Sequence, residues 1–263
     1  MNLRIIVSIC LLVTSICASA QGGSEINQTD KQGKKQGHWI KNYPNGNIMY
    51  EGVFKDDHPV GEMKRYNDDK SLKSILIYSS DGKKADASMY HPNGFLSAKG
   101  SYINQMKEGK WQFFSELLQG FLLSEEYYSA NKKNGLSVKF YPDSTIAEKL
   151  TYRDDIKQGE WSQYYPSGAL RMKSYYRNGK LNGMFGLWFE NGTPEYSGQY
   201  KDNFRDGQWT VYKEDGTVKY QVSYVAGIAK DNQLDDAESA FLDSLENNRG
   251  KIADPEKTGI IKP

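Results

Sequence analysis

Cysteine is nearly missing from this chain of 263 residues: the two present, Cys10 and Cys17, both fall in an apolar N-terminal stretch. The rest of the chain has no disulfide open to it, so its stability must come from packing. Histidine is as scarce. His38, His58 and His91 stand at strand or turn positions without metal-ligand spacing and read as surface residues. No Gly-x-Ser-x-Gly elbow, phosphate loop or reactive thiol follows the N-terminal stretch. Carboxylate pairs such as Asp56-Asp57, Asp68-Asp69 and Asp154-Asp155 lie in or beside turns, where Asp is ordinary, and no calcium loop ending in a bidentate Glu is present. These absences leave no catalytic, cofactor-binding or metal-ligating residue to name, and the chain reads as non-enzymatic.

Charge of one sign is also lacking, with 34 basic and 33 acidic side chains. That balance gives none of the positive field that a phosphate backbone requires, and it argues against nucleic acid as a partner. A long apolar run is absent as well. The first twenty residues carry one charge, Arg4, an apolar run from Ile5 to Val13, and Ala18-Ser19-Ala20 before Gln21. This is a secretory signal of residues 1–20, too short for a permanent span, so the mature chain carries no transmembrane segment. The protein is expected to be exported, to the periplasm, the cell surface or the medium. Lipidation at Cys17 fits less well, because Ile16 precedes it directly.

Tyrosine and glycine are plentiful, at 19 and 25 residues, and the glycines are periodic. Gly37, Gly61, Gly109, Gly135, Gly159, Gly183 and Gly207 fall 24 residues apart when Ala85 fills the gap after Gly61, apart from one step of 26. Seventeen residues after each start stands an aromatic: Phe54, Tyr78, Tyr102, Tyr152, Tyr176, Tyr200 and Tyr224, with Tyr128 displaced by two extra residues. A period of this size marks a repeat architecture whose units stack because none can bury its apolar face alone. A hydrophobic content of 38% with 13% aromatics fits a thin sheet with large side chains on one face.

The unit beginning at Gly159 shows the pattern. Counting that glycine as position 0, a turn signal stands at positions 7 to 9; its copies include Pro44-Asn45-Gly46, Pro92-Asn93-Gly94 and Glu190-Asn191-Gly192. Asn-Gly and Asp-Gly tolerate the positive φ of tight turns, and the flanking runs are rich in aromatic and β-branched residues, so each unit reads as a β-hairpin. Positions 11 and 17 share parity, which places Ile48, Leu72, Leu96, Leu122, Ile146, Leu170 and Val218 on the face of the tyrosine series, the expected core. Trp39, Trp111, Trp161 and Trp209 at position 2 differ in parity from Tyr66, Tyr90, Phe114, Tyr164, Trp188 and Tyr212 at position 5. Either a bulge realigns the two sets or aromatics lie on both faces. In the unit of Gly109 the tip lengthens to Glu116-Leu117-Leu118-Gln119-Gly120, which reads as a tolerated insertion.

The pattern Gly-x-Trp-x-x-Tyr, then Asn-Gly, then an aromatic before a second Asn-Gly or Asp-Gly, resembles the bacterial variant of the MORN repeat, in proteins often called YwqK-like antitoxin components. The resemblance covers residues 37–230 and implies an elongated antiparallel sheet of successive hairpins. The antitoxin name implies a cytoplasmic partner, with which the secretory signal disagrees.

The expected fold is therefore all-β: an elongated antiparallel sheet of about eight stacked 24-residue hairpins over residues 37–230. Residues 21–36 read as a flexible leader, 231–248 as a short capping helix with Leu234, Ala237, Phe241 and Leu245 at helical spacing, and 249–263 as a disordered tail. Tyr127 and Tyr175, each one residue before a core tyrosine, point away from the core and form the candidate binding surface. The expected role is a binding scaffold for a protein or envelope component, with a glycan, stacked on exposed aromatics, as the alternative ligand. N-terminal sequencing of the exported protein is expected to begin at Gln21; recovery of only an uncut or acylated form would contradict the signal assignment.

Overall fold

The computed structural model describes residues 25–230. Among them are nineteen strands and no helix, and, with one exception, consecutive strands pair antiparallel from Gln28–Thr29 to Ile228–Ala229. The short strands Lys180–Leu181 and Gly183–Trp188 both pair with Leu170–Arg177 and act as one strand interrupted at Asn182. No pairing joins the first hairpin to the last, so the sheet is open. This is the expected hairpin array. The signal, the capping helix and the tail lie outside the described residues.

The ladder begins earlier than expected, inside the stretch read as a flexible leader. Gln28 and Thr29 pair with Gln36 and Lys35 around a turn in which Asp30 Oδ1 accepts the N–H groups of Gln32 and Lys34, both at 2.9 Å. Asp and Gly33, at φ 80°, supply local turn chemistry that overrides a polar composition.

Every recurring glycine has a φ between 64° and 124°, a region that a side chain makes costly. From Gly61 onward each sits in a two-residue slip of register. Gly52 lies opposite Met63 while Val53 lies opposite Val60, so Gly61 and Glu62 bulge out of the ladder. At Ala85 the bulge is gone: Tyr78 pairs with Ala85 and Ser74 with Met89 in one unbroken register. The chain length between them is unchanged, and the surplus residues enter a longer turn at 79–83, where Ser79 N donates to Lys84 O at 2.8 Å and Gly82 takes the positive φ of 69°.

A second slip, of one residue, lies near each hairpin tip. Gln163 pairs with Met172, but Tyr164 pairs with Leu170. One surplus residue reverses the face of everything beyond it. The position-11 series therefore joins the position-5 aromatics on the face away from the tyrosine series, contrary to expectation, and Ile48 and Val218 are exposed. The same slip resolves the question left at positions 2 and 5, because the first strand is straight and aromatics occupy both faces. The buried face is built from positions 2, 4, 13, 15 and 17, as with Trp209, Val211, Tyr196, Val222 and Tyr224.

Tryptophan burial follows from a glycine on the preceding strand. A Cβ at Gly198 would fall 2.3 Å from the Trp209 ring, and one at Gly100 would fall 2.3 Å from Trp111. Each indole lies flat on bare backbone and donates Nε1–H at 3.2 Å to the next carbonyl, Gln199 O or Ser101 O. Trp161 faces Leu150 instead, stays half-buried, and turns its Nε1–H to Glu148 Oε2 at 3.2 Å.

In four units the residue at position 6 ties its tip to the next one. Tyr43, Tyr141 and Tyr165 donate their hydroxyls to Tyr66 O, Tyr164 O and Trp188 O at 2.9, 2.8 and 2.9 Å, and the His91 ring bonds Phe114 O at 3.1 Å. His91 is thus part of the inter-unit seam rather than a bystander on the surface. Gly198→Ala is expected to lower stability by about 1–3 kcal/mol through overpacking on Trp209, with part of the loss recovered in the double variant Gly198→Ala/Trp209→Leu. Denaturant melts of the three proteins check this, and a neutral Gly198→Ala would contradict the flat packing of the indole.

Candidate binding face

Two residues before five of the seven recurring glycines the chain places a cation, and the buried face collects these into a row. Lys35 Nζ lies 4.7 Å from the Trp39 ring centre and 4.9 Å from that of Phe54. Lys107 Nζ lies 4.9 Å from Trp111 and 4.8 Å from Tyr128, and Lys157 Nζ lies 5.1 Å from Tyr176. The Arg205 guanidinium sits 5.4 Å from Tyr224, and Lys133 Nζ sits 5.6 Å from Tyr152. Cations over ring faces gain electrostatic attraction while their aliphatic stems cover apolar surface. Pro59 and Leu181 interrupt the row. The motif Lys-x-Gly or Arg-x-Gly carries the row in the sequence, but a search guided by glycine and tyrosine alone passes over it.

Ionic groups also enter the middle of this face and divide its apolar packing into two clusters, one from Leu76 to Tyr128 and one from Leu150 to Tyr224. Glu126, 2% exposed, accepts from Lys133 Nζ at 2.9 Å and from the Tyr128 hydroxyl at 2.6 Å. Glu148 pairs with Lys139 Nζ at 3.0 Å and accepts from Gln163 Nε2 at 3.1 Å. Burial pushes the Glu148 carboxyl up, but the Lys139 charge, with hydrogen bonds from Lys139, Gln163 and Trp161, outweighs it and holds the group below its ordinary 4.5. On the opposite face Tyr66 is pushed up to about 12 by burial and by its 2.7 Å bond to Glu51 Oε1.

The ring positions named from sequence divide by burial. Trp111, Trp209, Tyr128, Tyr176, Tyr200 and Tyr224 are buried, while Trp39, Trp161, Tyr78, Tyr102 and Tyr152 are half-buried. Tyr127 and Tyr175 lie on the other face. Tyr127 is exposed and Tyr175 half-buried, and each covers the bulge glycine of the next unit: a Cβ at Gly135 would meet Tyr127 Cβ at 3.0 Å, and one at Gly183 would meet Tyr175 Cβ at 3.7 Å. Their strands, Leu122–Ser129 and Leu170–Arg177, are four steps apart in the ladder, or roughly 19 Å, so the fold does not bring the two rings together. The enlarged tip leaves Leu117 71% and Leu118 51% exposed, with Ser115 Oγ accepting both of their N–H groups at 3.1 Å. Among the described residues no group of three or more His, Cys, Asp or Glu is placed to hold a metal ion, and no helix is long and apolar enough to cross a membrane.

Three segments, residues 35–56, 157–178 and 205–226, match the family model described as MORN repeat variant. Each match opens on the cation two residues before a recurring glycine and closes two residues after the position-17 ring, so it spans one structural unit. These three segments are thus similar to the MORN repeat variant. No curated protein matches it. Among solved structures it is similar to TcdB2-TccC3-Cdc42, with 11% identity over 79% of this chain and 14% of that one, at a TM-score of 0.22. It is also similar to TcdB2-TccC3, with 13% identity over 76% and 12% at 0.20, and to the Photorhabdus luminescens Tc holotoxin pore, with 10% identity over 72% and 12% at 0.17.

The Glu148 site makes the fold sensitive to acid. A carboxyl whose folded pKa is depressed stabilises the fold above its unfolded value, and the contribution is lost as pH falls through the folded value. The melting temperature of the wild type is expected to fall on acidification below about pH 4.5. Glu148→Gln should melt lower at pH 7, because Lys139 loses its partner, and should lose less over the same acid range. Parallel acid limbs for the two proteins would contradict the assignment.

Proposed function

We propose that the chain is an exported, non-catalytic binding repeat whose open sheet presents one extended surface to a protein or envelope component. The observation that carries this reading is the row of Lys35, Lys107, Lys133, Lys157 and Arg205 over aromatic rings, repeated with the structural period along the buried face. A periodic array of cation and ring suits a partner that is itself extended, because each unit repeats the same contact. The three repeat-model matches support a repeat-based scaffold, and the apolar leader supports export. A glycan ligand is the second reading, favoured by the exposure of Tyr127.

Crosslinking in the native envelope, repeated with a Lys107→Gln/Lys157→Gln variant of unchanged melting temperature, tests the first reading. A defined crosslinked partner that the variant loses supports it. A partner retained equally by the variant refutes the cation row as the contact surface. Purified cell wall and glycan arrays, free of protein, address the second. Binding there that Tyr127→Ala abolishes moves the assignment to carbohydrate.

A further inference from the structure

The third unit leaves a hole in the buried face. Between strands Leu72–Tyr78 and Lys84–Tyr90 lies a cavity of about 230 Å³. Its floor holds Ser74 and Ala85, where other units place Met172 or Tyr196 at the first position and a bulged glycine at the second. Small side chains in an unbulged stretch of sheet leave that volume unfilled. Leu76 and Met89 add apolar surface, and the half-buried rings of Tyr78 and Tyr102 also line it.

Two cations, Arg65 and Lys83, line the same cavity and are exposed. Lys83 occupies the position of the cation row, yet no ring lies beneath it, in contrast to Lys35, Lys107, Lys133, Lys157 and Arg205. The Lys83 charge acts on Asp81 in its own turn, whose Oδ1 already accepts the Ser79 hydroxyl at 2.6 Å and the Lys83 N–H at 3.0 Å. No carboxylate is among the residues lining the cavity. The site thus combines a floor of small side chains, the apolar surface of Leu76 and Met89, two tyrosines and two cations without a lining acid.

We infer that this cavity binds a small molecule consisting of one ring and one carboxylate, the ring against Leu76, Tyr78 and Tyr102 and the carboxylate between Arg65 and Lys83. The volume is below the roughly 300–1,000 Å³ of sites for larger ligands, which limits the body to a single ring. Arg65 matches a carboxylate with two parallel donors, and Lys83 adds a second charge. Tyrosine faces accept an aromatic ring or the apolar face of a sugar ring, so aryl carboxylates and uronic acids share the required chemistry. The inference does not depend on the partner proposed for the cation row.

Calorimetric titration of the exported chain with phenylacetate and glucuronate, each beside its neutral counterpart, phenylacetamide and glucose, tests it. At least one carboxylate is expected to bind, at least roughly tenfold tighter than its neutral partner, and the one that binds distinguishes an aryl acid from an acidic sugar. The Arg65→Gln/Lys83→Gln variant, changed only at exposed positions, should lose that preference. Ser74→Met, which fills the floor with the residue the repeat carries at Met172, should abolish binding while the protein still melts cooperatively. Equal affinity for acid and neutral forms, no binding by either acid, or undiminished binding in the Arg65→Gln/Lys83→Gln variant would overturn the proposal.

Discussion

The architecture depends on one backbone constraint, a left-handed glycine at the start of seven of the eight units. A two-residue bulge there removes two residues from the ladder without shortening the strand, and it sharpens the local twist. The tight turns between units, such as Asp154-Asp155 with φ of 50° and 67°, then bring position 17 of one unit opposite the cation that precedes the next glycine, as Tyr152 lies opposite Lys157. From there each ammonium group of the row lies over the position-17 ring of its own unit, as Lys157 Nζ does over Tyr176. Glycine takes the required φ without strain, which is why the period is written in glycine rather than in the larger residues that fill the face.

Ala85 shows what happens when the constraint is relaxed. The strand stays regular, the spare residues move into the turn, and the 24-residue step survives because Gly82 supplies a left-handed residue three positions earlier. The period is thus a property of chain length, while the bulge is a property of the glycine. The consequence is local: the unit that lacks the starting glycine is also the one whose buried face holds a cavity and a lysine without a ring beneath it.

Hairpins, unit boundaries and the tyrosine series were legible in the sequence because each rests on local chemistry, Asn-Gly turns and period-2 alternation. The position-11 series was misplaced for a physical reason. Parity counts assume an unbroken strand, and a single surplus residue such as Arg171 near the tip reverses the face of Leu170 without leaving a composition signal. The glycine beneath each buried tryptophan was equally hidden, since Gly100 and Trp111 are neighbours only once the register is known. The cation row was visible as Lys-x-Gly but carried no meaning until the rings beneath it had positions. Tyr127 and Tyr175 lie on the face opposite the core tyrosines, and their separation by four strands could not be read from parity.

A thin sheet has no second layer to hide errors of packing, so each unit's large side chains must be received by the unit before it. Trp209 needs Gly198; Trp161, set against Leu150, keeps part of its ring in solvent and borrows Glu148 to satisfy its N–H. Once Glu148 is buried it requires Lys139, and the apolar packing breaks into two clusters around that ionic seam. A single substitution of leucine for glycine at one repeat position thus accompanies a chain of polar compensation across three strands. Variation between nominally identical repeats is therefore structural information: the units that depart from the pattern, those of Ala85, Gly109 and Gly135, are where the face acquires a cavity, an exposed apolar tip and a buried charge, the features by which one stretch of a periodic surface can be told from another.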